Sequence, residues 1–268
     1  YWGLDYPPLS AHVSWLVGIV AKRIHPELVT LHTSRGIETP PTRAFMRNSV
    51  LLLDALTHLP AGFVCAATSL PPGMRRWLFV LHLTALPALV LVDHGHFQYN
   101  CVSLGLTLWA MLGALSGRPI ACSVAFCLAL NFKQMTLYLA PAIFCYLLSG
   151  CLRRHQGLHA KALAVIKLGI TVIFSFAACW APFLGDSKDA FAVLSRVFPV
   201  ERHLYEDKVA NIWCTLSLVP FLKLKSMLSV SALLRLALGA TLLGILPPCA
   251  MLLARPSRAG FLQCATAC

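Results

Sequence analysis

Seven runs of residues without Asp, Glu, Lys or Arg dominate this chain, and they constrain its fold more than any other feature. The runs lie at 77–92, 94–117, 119–132, 134–152, 168–185, 209–222 and 236–254. A helix that crosses a bilayer needs roughly 20 mostly apolar residues, and several runs approach that length. With 58% hydrophobic and 12% charged residues, the chain is too apolar for one soluble core. We therefore predict an all-α polytopic membrane protein in a lipid bilayer.

The predicted organisation has two parts. Residues 1–45 are expected to form a luminal loop with an amphipathic helix at about 9–24, because apolar residues recur there at helical spacing. Residues 46–268 are expected to form a transmembrane domain of about eight spans. The predicted spans are 46–67, 76–92, 100–117, 119–132, 134–152, 163–185, 209–222 and 228–254.

The distribution of charge predicts the topology. A net charge of +12 would suggest a nucleic-acid partner in a soluble protein, but in a membrane protein the positive-inside rule applies, and no nucleic acid is predicted. If the spans alternate, one side receives basic residues and no carboxylate. These residues are Arg75, Arg76, Arg118, Arg153, Arg154, Lys161, Lys223 and Lys225. That side is predicted to be cytosolic, which leaves loops 93–99 and 186–208 facing a lumen or the exterior.

Four polar, aromatic-rich clusters at 2–8, 93–100, 131–135 and 199–213 interrupt the apolar sequence, and all four fall on the predicted luminal side. We expect them to line one cavity. In the first cluster, Trp2, Asp5 and Tyr6 combine aromatic faces with a carboxylate, which suits a sugar, although an interfacial aromatic belt around a solvated carboxylate is an equal alternative.

The second cluster offers His94, His96, Gln98 and Tyr99 within six positions. Such density favours hydrogen bonding to a phosphate or a sugar. Histidines two residues apart could also hold a metal ion, but they do not share a helix face, so no metal site is predicted. In the third cluster, Lys133, with Gln134 beside it, either neutralises a phosphate or extends to the membrane surface.

The fourth cluster supplies Arg202, His203 and Lys208 for an anionic leaving group, unless it is a salt-bridged helix start. Outside the clusters, Asp54 lies well inside a predicted span. A buried carboxylate there is a functional hypothesis, but a helix-packing hydrogen bond is the better interpretation. Most of the 11 cysteines lie in apolar runs, where they are interpreted as small apolar residues.

Several strings resemble one known family. They are Trp-Gly-Leu-Asp-Tyr-Pro-Pro-Leu at 2–9, Leu-His-Thr-Ser-Arg-Gly at 31–36, Asp-His-Gly-His-Phe-Gln-Tyr-Asn at 93–100 and Glu-Asp-Lys-Val-Ala-Asn-Ile-Trp-Cys at 206–214. The chain resembles the dolichyl-phosphate-glucose glucosyltransferases of the endoplasmic reticulum from residue 1 to about 262. Within that family, Gly3, Gly95 and the Thr-Ser-Arg-Gly string favour the enzyme that adds the first glucose to the lipid-linked oligosaccharide over the sister that adds the second.

The resemblance implies a GT-C type transmembrane core, a multi-pass protein of the endoplasmic reticulum membrane with a luminal active site. It implies dolichyl phosphate glucose as donor, dolichyl-diphosphate-linked Man9GlcNAc2 as acceptor, an inverting α-1,3 transfer in N-glycosylation, and no cofactor. Asp5 would activate or position the acceptor. The family also has an upstream acidic motif and a downstream His-Glu-Lys motif that this chain lacks, so a fragment truncated at both ends and inactive alone is expected. A transporter or a non-enzymatic scaffold is the alternative class.

Overall fold

The computed structural model describes residues 6–69, 71–185, 187–198, 212–217 and 227–268. Helices and short connecting turns account for all of the secondary structure in these residues, with no strand among them. This confirms the predicted all-α class. The predictions for Trp2, Asp5, Arg202, His203 and Lys208 lie outside the described residues.

The α-helices are short to medium in length and follow one another closely. They are α1 (Pro8–Ile24), α2 (Pro40–Leu56), α3 (His58–Ser69), α4 (Met74–Thr84), α5 (Asn100–Leu115), α6 (Pro119–Phe132), α7 (Ala140–Arg154), α8 (Leu158–Trp180), α9 (Ser187–Val197), α10 (Ile212–Ser217), α11 (Val230–Ala254) and α12 (Arg258–Ala267). A π-helical stretch covers Leu89–Gly95, and 3₁₀ turns cover Pro26–Val29, Gln134–Leu139 and Ala181–Phe183.

Local sequence explains where several helices begin. Pro8, Pro40 and Pro119 stand at first helical positions, where a missing backbone N–H costs nothing and the fixed φ suits a helix. Ser229 and Ser257 precede α11 and α12, and their hydroxyls accept backbone N–H groups of the first turn. These caps satisfy donors that would otherwise lack a partner.

Among the described residues, four segments are long and apolar enough to cross a membrane: Pro40–Thr68, Gln134–Arg154, Leu158–Phe183 and Val230–Ala254. Helices α5 and α6 are apolar but shorter. The predicted span at 76–92 is not one continuous helix, because α4 ends at Thr84 and the π-helical stretch begins at Leu89. The π-helical stretch occupies part of the predicted luminal loop and holds the first residues of the second cluster.

The chain divides into two compact units. The first unit contains residues 1–138 and 155–197, and the second contains residues 139–154 and 198–268. Within the first unit, α5 packs closely on α3 and α6 at two glycines. A Cβ on Gly105 would lie 2.6 Å from the backbone nitrogen of His58, and one on Gly113 would lie 2.8 Å from that of Cys122. These contacts fix α5 at the centre of the unit.

Within the second unit, α7 and α11 run parallel. The Ser149 hydroxyl donates to the Leu253 carbonyl oxygen at 3.0 Å, and Arg153 Nε donates to the same oxygen at 3.3 Å. Helix α12 packs back on both, with Phe261 against Tyr146. The predicted alternation of spans is wrong here. It puts the ends of 134–152 and 228–254 on opposite sides, whereas interhelical hydrogen bonds hold these ends together.

Candidate active site

The candidate site is organised around Asp93, which lies in the π-helical stretch and is fully buried. Its Oδ1 accepts a hydrogen bond from Asn100 Nδ2 at 2.6 Å, and its Oδ2 accepts one from the backbone N–H of Cys101 at 2.6 Å. Asp93 therefore caps the start of α5 from the preceding segment. A carboxylate is favoured there, because the helix N-terminus carries a partial positive charge. π-Helical turns are rare in proteins, and those that occur often lie at functional sites.

Asn100 links this carboxylate to Lys133, the residue that follows α6. Lys133 Nζ donates to Asn100 Oδ1, while Asn100 Nδ2 also donates to Gln98 Oε1 at 3.1 Å. Burial lowers the pKa of the Lys133 ammonium from its usual value, and the nearby Asp93 carboxylate opposes that shift. The site therefore holds an ammonium group in a partly dry environment, where its attraction for an anion is stronger than in water.

A cavity of about 310 Å³ opens beside Lys133. It is lined by residues from α1, from the segment before α5 and from the end of α6: Tyr6, Ser10, Val13, Ser14, Phe97, Gln98, Tyr99, Phe132 and Lys133. Lys133 Nζ lies 5.4 Å from the centre of the Tyr6 ring, a cation–π distance. The Tyr99 hydroxyl is hydrogen bonded to the Ser49 hydroxyl at 2.8 Å.

The cavity thus brings together members of three predicted clusters, namely Tyr6, Gln98, Tyr99 and Lys133. It offers one cation, aromatic surface, an amide and the hydroxyls of Ser10 and Ser14. Aromatic and polar groups around a single half-buried charge can hold a phosphate and the polar rim of a sugar at the same time.

Phe97 has a left-handed backbone conformation, with φ of 52°. This conformation is uncommon for a bulky residue and costs of order 1–3 kcal/mol. The ring stacks on His96 with centroids 6.0 Å apart, and the Arg47 guanidinium lies 6.0 Å from its centre. Strained residues of this kind cluster at ligand sites. The strained turn places Phe97 in the cavity lining and leaves His96 exposed.

The structure does not place His94 in the lining of the cavity. Its Nε2 donates to Asp54 Oδ2 at 3.0 Å, and the other carboxylate oxygen lies 3.2 Å from His58 Nδ1 without alignment for a hydrogen bond. Asp54 and His58 are both buried, at the junction of α2 and α3. Asp54 thus joins the span to the second cluster through His94, which agrees with the predicted packing hydrogen bond.

Gln134 begins the 3₁₀ turn after Lys133. Its Oε1 is buried and accepts no hydrogen bond from any described residue. A buried acceptor without a donor costs about 1–3 kcal/mol. The neighbouring Asn131 differs, because its Oδ1 accepts from Trp180 Nε1 at 2.8 Å and its Nδ2 donates to the Cys127 carbonyl. Gln134 is not part of the cavity lining, so the structure does not bring it into the candidate site.

Sequence analysis missed Asp93, Asn100, Ser10 and Ser14 as site residues. Asp93 and Asn100 begin and end the second cluster, so their position was a signal. Only the fold shows that they connect Gln98 to Lys133. The two serines carry no signal of their own, since they fall on one face of an otherwise apolar helix.

The ALG6, ALG8 glycosyltransferase family matches the chain over residues 1–268. The chain belongs to this family. It is 46% identical over 263 residues to the dolichyl pyrophosphate Man9GlcNAc2 alpha-1,3-glucosyltransferase of Gallus gallus, covering 97% of this chain and 51% of the relative. The probable enzyme of the same name from Arabidopsis thaliana is 43% identical over 267 residues, covering 98% and 49%. The chain therefore spans about half the length of the curated relatives that it matches.

Family membership agrees with the membrane-spanning helices and with the predicted glycosyltransferase core. The resemblance to this family is confirmed by the family match and by relatives named dolichyl pyrophosphate Man9GlcNAc2 alpha-1,3-glucosyltransferase. The cavity at Lys133 contains aromatic and polar groups of the kind that bind a sugar.

Proposed function

We propose that this chain forms the donor-binding half of an inverting α-1,3-glucosyltransferase. The enzyme takes glucose from dolichyl phosphate glucose and adds it to dolichyl-diphosphate-linked Man9GlcNAc2, in the membrane of the endoplasmic reticulum with the site facing the lumen. The observation that carries the proposal is the cavity in which Lys133 stands among Tyr6, Gln98 and Tyr99. The names of the relatives support the same acceptor.

The phosphate of the donor is assigned to Lys133. Inversion by a single displacement leaves a phosphate that gains negative charge as the glycosidic bond breaks, and a fixed cation stabilises that charge in the transition state. The Asp93–Asn100–Lys133 chain of hydrogen bonds holds the ammonium in place. Because Asn100 separates the carboxylate from the lysine, the cation keeps donors for a ligand.

The glucose ring is assigned to the aromatic and amide groups around the cavity. Tyr6 and Phe97 offer faces to the apolar C–H surface of a sugar, while Gln98 can accept hydrogen bonds from its hydroxyls. Gln134 is not part of the cavity lining and stays a prediction. Trp2, Arg202, His203 and Lys208 stay predictions for the same donor. So do His94 and His96, whose observed contacts are with Asp54 and Phe97.

The acceptor hydroxyl must lose a proton as it attacks, which requires a general base. Asp5 is proposed for this role or for positioning the acceptor, and it lies one residue before Tyr6 in the sequence. No covalent intermediate forms in a single displacement. The bond from glucose C1 to the phosphate oxygen breaks, the new C1–O bond to the acceptor forms, and the acceptor proton passes to the base.

A chimera tests the proposal. The half of the Gallus gallus relative that matches this chain is replaced by the chain, and the chimera is expressed in cells that lack the relative's activity. The mass of the lipid-linked glycan should increase by one hexose. Dolichyl phosphate glucose should support the transfer in isolated membranes and nucleotide-linked glucose should not.

Three variants of the chimera make the test specific. Asp5→Asn should abolish transfer, and Lys133→Met should lower it about 100-fold, the effect of removing one transition-state donor. Lys22→Met is the matched control, because Lys22 is an exposed lysine in the last turn of α1, and it should transfer normally. Full activity of Lys133→Met, or glucose added only to a glycan that already carries one glucose, would contradict the proposal.

A further inference from the structure

The second unit contains a group of thiols that the transferase chemistry does not use. Cys249 lies on α11, and Cys264 and Cys268 lie on and just after α12. Their sulfur atoms are all within 4.8 Å of one another. Cys145 on α7 interacts with Cys249 as well, so three helices converge on this cluster. We infer that Cys249, Cys264 and Cys268, completed by Cys145, form a binding site for a thiophilic d¹⁰ metal ion, Zn²⁺ or Cu⁺.

The geometry of the thiol cluster suits such an ion. Zinc–thiolate bonds of about 2.3 Å in a tetrahedral site place the sulfur atoms roughly 3.8 Å apart. Cys249 Sγ and Cys264 Sγ are 3.7 Å apart. Two thiols in ordinary contact would show a similar separation. Cys268 is the third thiol within 4.8 Å of both, and three convergent thiols make a ligand set for a soft metal ion.

The position of the cluster keeps the thiols reduced. Arg153 and Arg154 end α7, while Arg255 and Arg258 flank the turn between α11 and α12. All four therefore lie at the end where α7 and α11 are hydrogen bonded. By the positive-inside rule this end is cytosolic. Cys249 precedes Arg255 by six residues, or roughly 9 Å of helix, so the cluster lies within reach of a reducing compartment, where metal binding is favoured over disulfides.

An access route reaches the cluster from the same end. A cavity of about 430 Å³ is lined by Met251, Arg255, Gln263 and Cys264, among others. A thioether and a thiol along one path suit a soft metal ion. On binding, each coordinating thiol releases its proton to water and forms one metal–sulfur bond, so no oxidant or reductant takes part. The ion would tie α12 to α7 and α11.

Sequence analysis missed this site for a physical reason. Many zinc sites announce themselves by a Cys-x-x-Cys pair, and this sequence has no Cys-x-x-Cys pair. Cys264 and Cys268 are spaced to share one face of α12, but Cys145 and Cys249 come from distant helices. Only tertiary packing brings these residues together.

The experiment uses the whole chain purified in detergent under reducing conditions. Zn²⁺ and Cu⁺ are titrated separately, and Cd²⁺ serves as a spectroscopic probe whose charge-transfer absorbance scales with the number of bound thiolates. One ion per chain with three or four thiolates is expected. Cys249→Ser and Cys264→Ser should each weaken binding by more than the 10–100-fold typical of losing an outer-shell group. Cys122→Ser, at a buried cysteine of the first unit, should bind normally.

A second measurement does not depend on a substituted core. In intact membranes, added Zn²⁺ or Cu⁺ should protect Cys268 from maleimide labelling, while Cys214 on α10 should label equally with and without metal. Binding retained by the double variant Cys249→Ser/Cys264→Ser, absence of a one-to-one thiolate signal, or a Cys249–Cys264 disulfide in freshly isolated membranes would overturn the inference. Because none of these measurements involves glucose transfer, the result is independent of the proposed function.

Discussion

Two buried aspartates of the first unit, Asp93 and Asp54, use their carboxylate oxygens differently. Both oxygens of Asp93 accept hydrogen bonds, from a backbone N–H and from the amide of Asn100. Asp54 accepts from His94 and lies beside His58. The partners of Asp93 are fixed donors, whereas an imidazole nitrogen can either donate or accept. The first carboxylate is therefore irreplaceable, and the second is adaptable.

The difference assigns separate tasks to the two carboxylates. Asp93 connects the start of α5 to Lys133 and so determines where the cation stands in the cavity. Asp54 holds the junction of α2 and α3 against the segment that carries the second cluster. A buried aspartate in an apolar segment indicates a structural or functional role at both positions. Only the hydrogen-bond partners distinguish Asp93, which positions Lys133, from Asp54, which makes a packing contact.

The largest effect is expected for Asp93→Asn. An asparagine there must direct its own NH₂ at either the Cys101 N–H or the Asn100 amide, and rotation of Asn100 would remove the acceptor of Lys133. Loss of a buried charge among fixed donors should cost about 3–5 kcal/mol of unfolding free energy. Thermal unfolding in detergent measures it. A midpoint equal to that of the unsubstituted chain would remove Asp93 from its assigned place.

Gly105→Ala should have the next largest effect, because it separates α5 from the backbone at His58. The added Cβ would lie 2.6 Å from main-chain atoms, which cannot move aside as a flexible side chain can, so about 1–3 kcal/mol of overpacking is expected. Gly169→Ala is the matched control, since Gly169 lies inside α8 with no atom near its Cβ position. That variant should be neutral or up to about 1 kcal/mol more stable.

Asp54→Asn should cost less than Asp93→Asn, about 1 kcal/mol. The asparagine can turn its carbonyl oxygen to the His94 Nε2–H and its NH₂ to the His58 ring, so both contacts survive. The comparison of the two Asp→Asn variants in the same thermal assay tests the contrast directly. Equal losses at the two positions would show that charge, and not the direction of the donors, decides the stability of both.

The smallest effect concerns the pH dependence at Lys133. Because burial lowers its pKa, the unfolded chain binds the proton more tightly, so stability should rise with pH between the lowered and the ordinary pKa. Binding of dolichyl phosphate needs the charged form and should fall over the same interval. In Lys133→Arg the guanidinium stays charged, so native mass spectrometry should find binding unchanged there. Parallel curves for lysine and arginine would contradict the assignment.

Much of the candidate site could be anticipated because its residues are concentrated in short strings. Tyr6, Gln98, Tyr99 and Lys133 each interrupt an apolar sequence, and polar groups in a membrane protein are costly unless they gather. His94 was assigned to the same cavity because it belongs to the same string. The π-helical stretch instead turns it towards Asp54, a rotation that no spacing rule for regular helices contains.

The sequence by itself determined that this chain is a helical membrane protein of a glycosyltransferase family, because apolar runs and motif strings are local properties. Tertiary structure decided which oxygens of Asp93 and Asp54 meet which donors, that α7 and α11 run in the same direction, and that four scattered cysteines approach one another. These facts depend on contacts between helices far apart in the chain. The energy of such contacts is set by distance and alignment, which residue order alone does not fix.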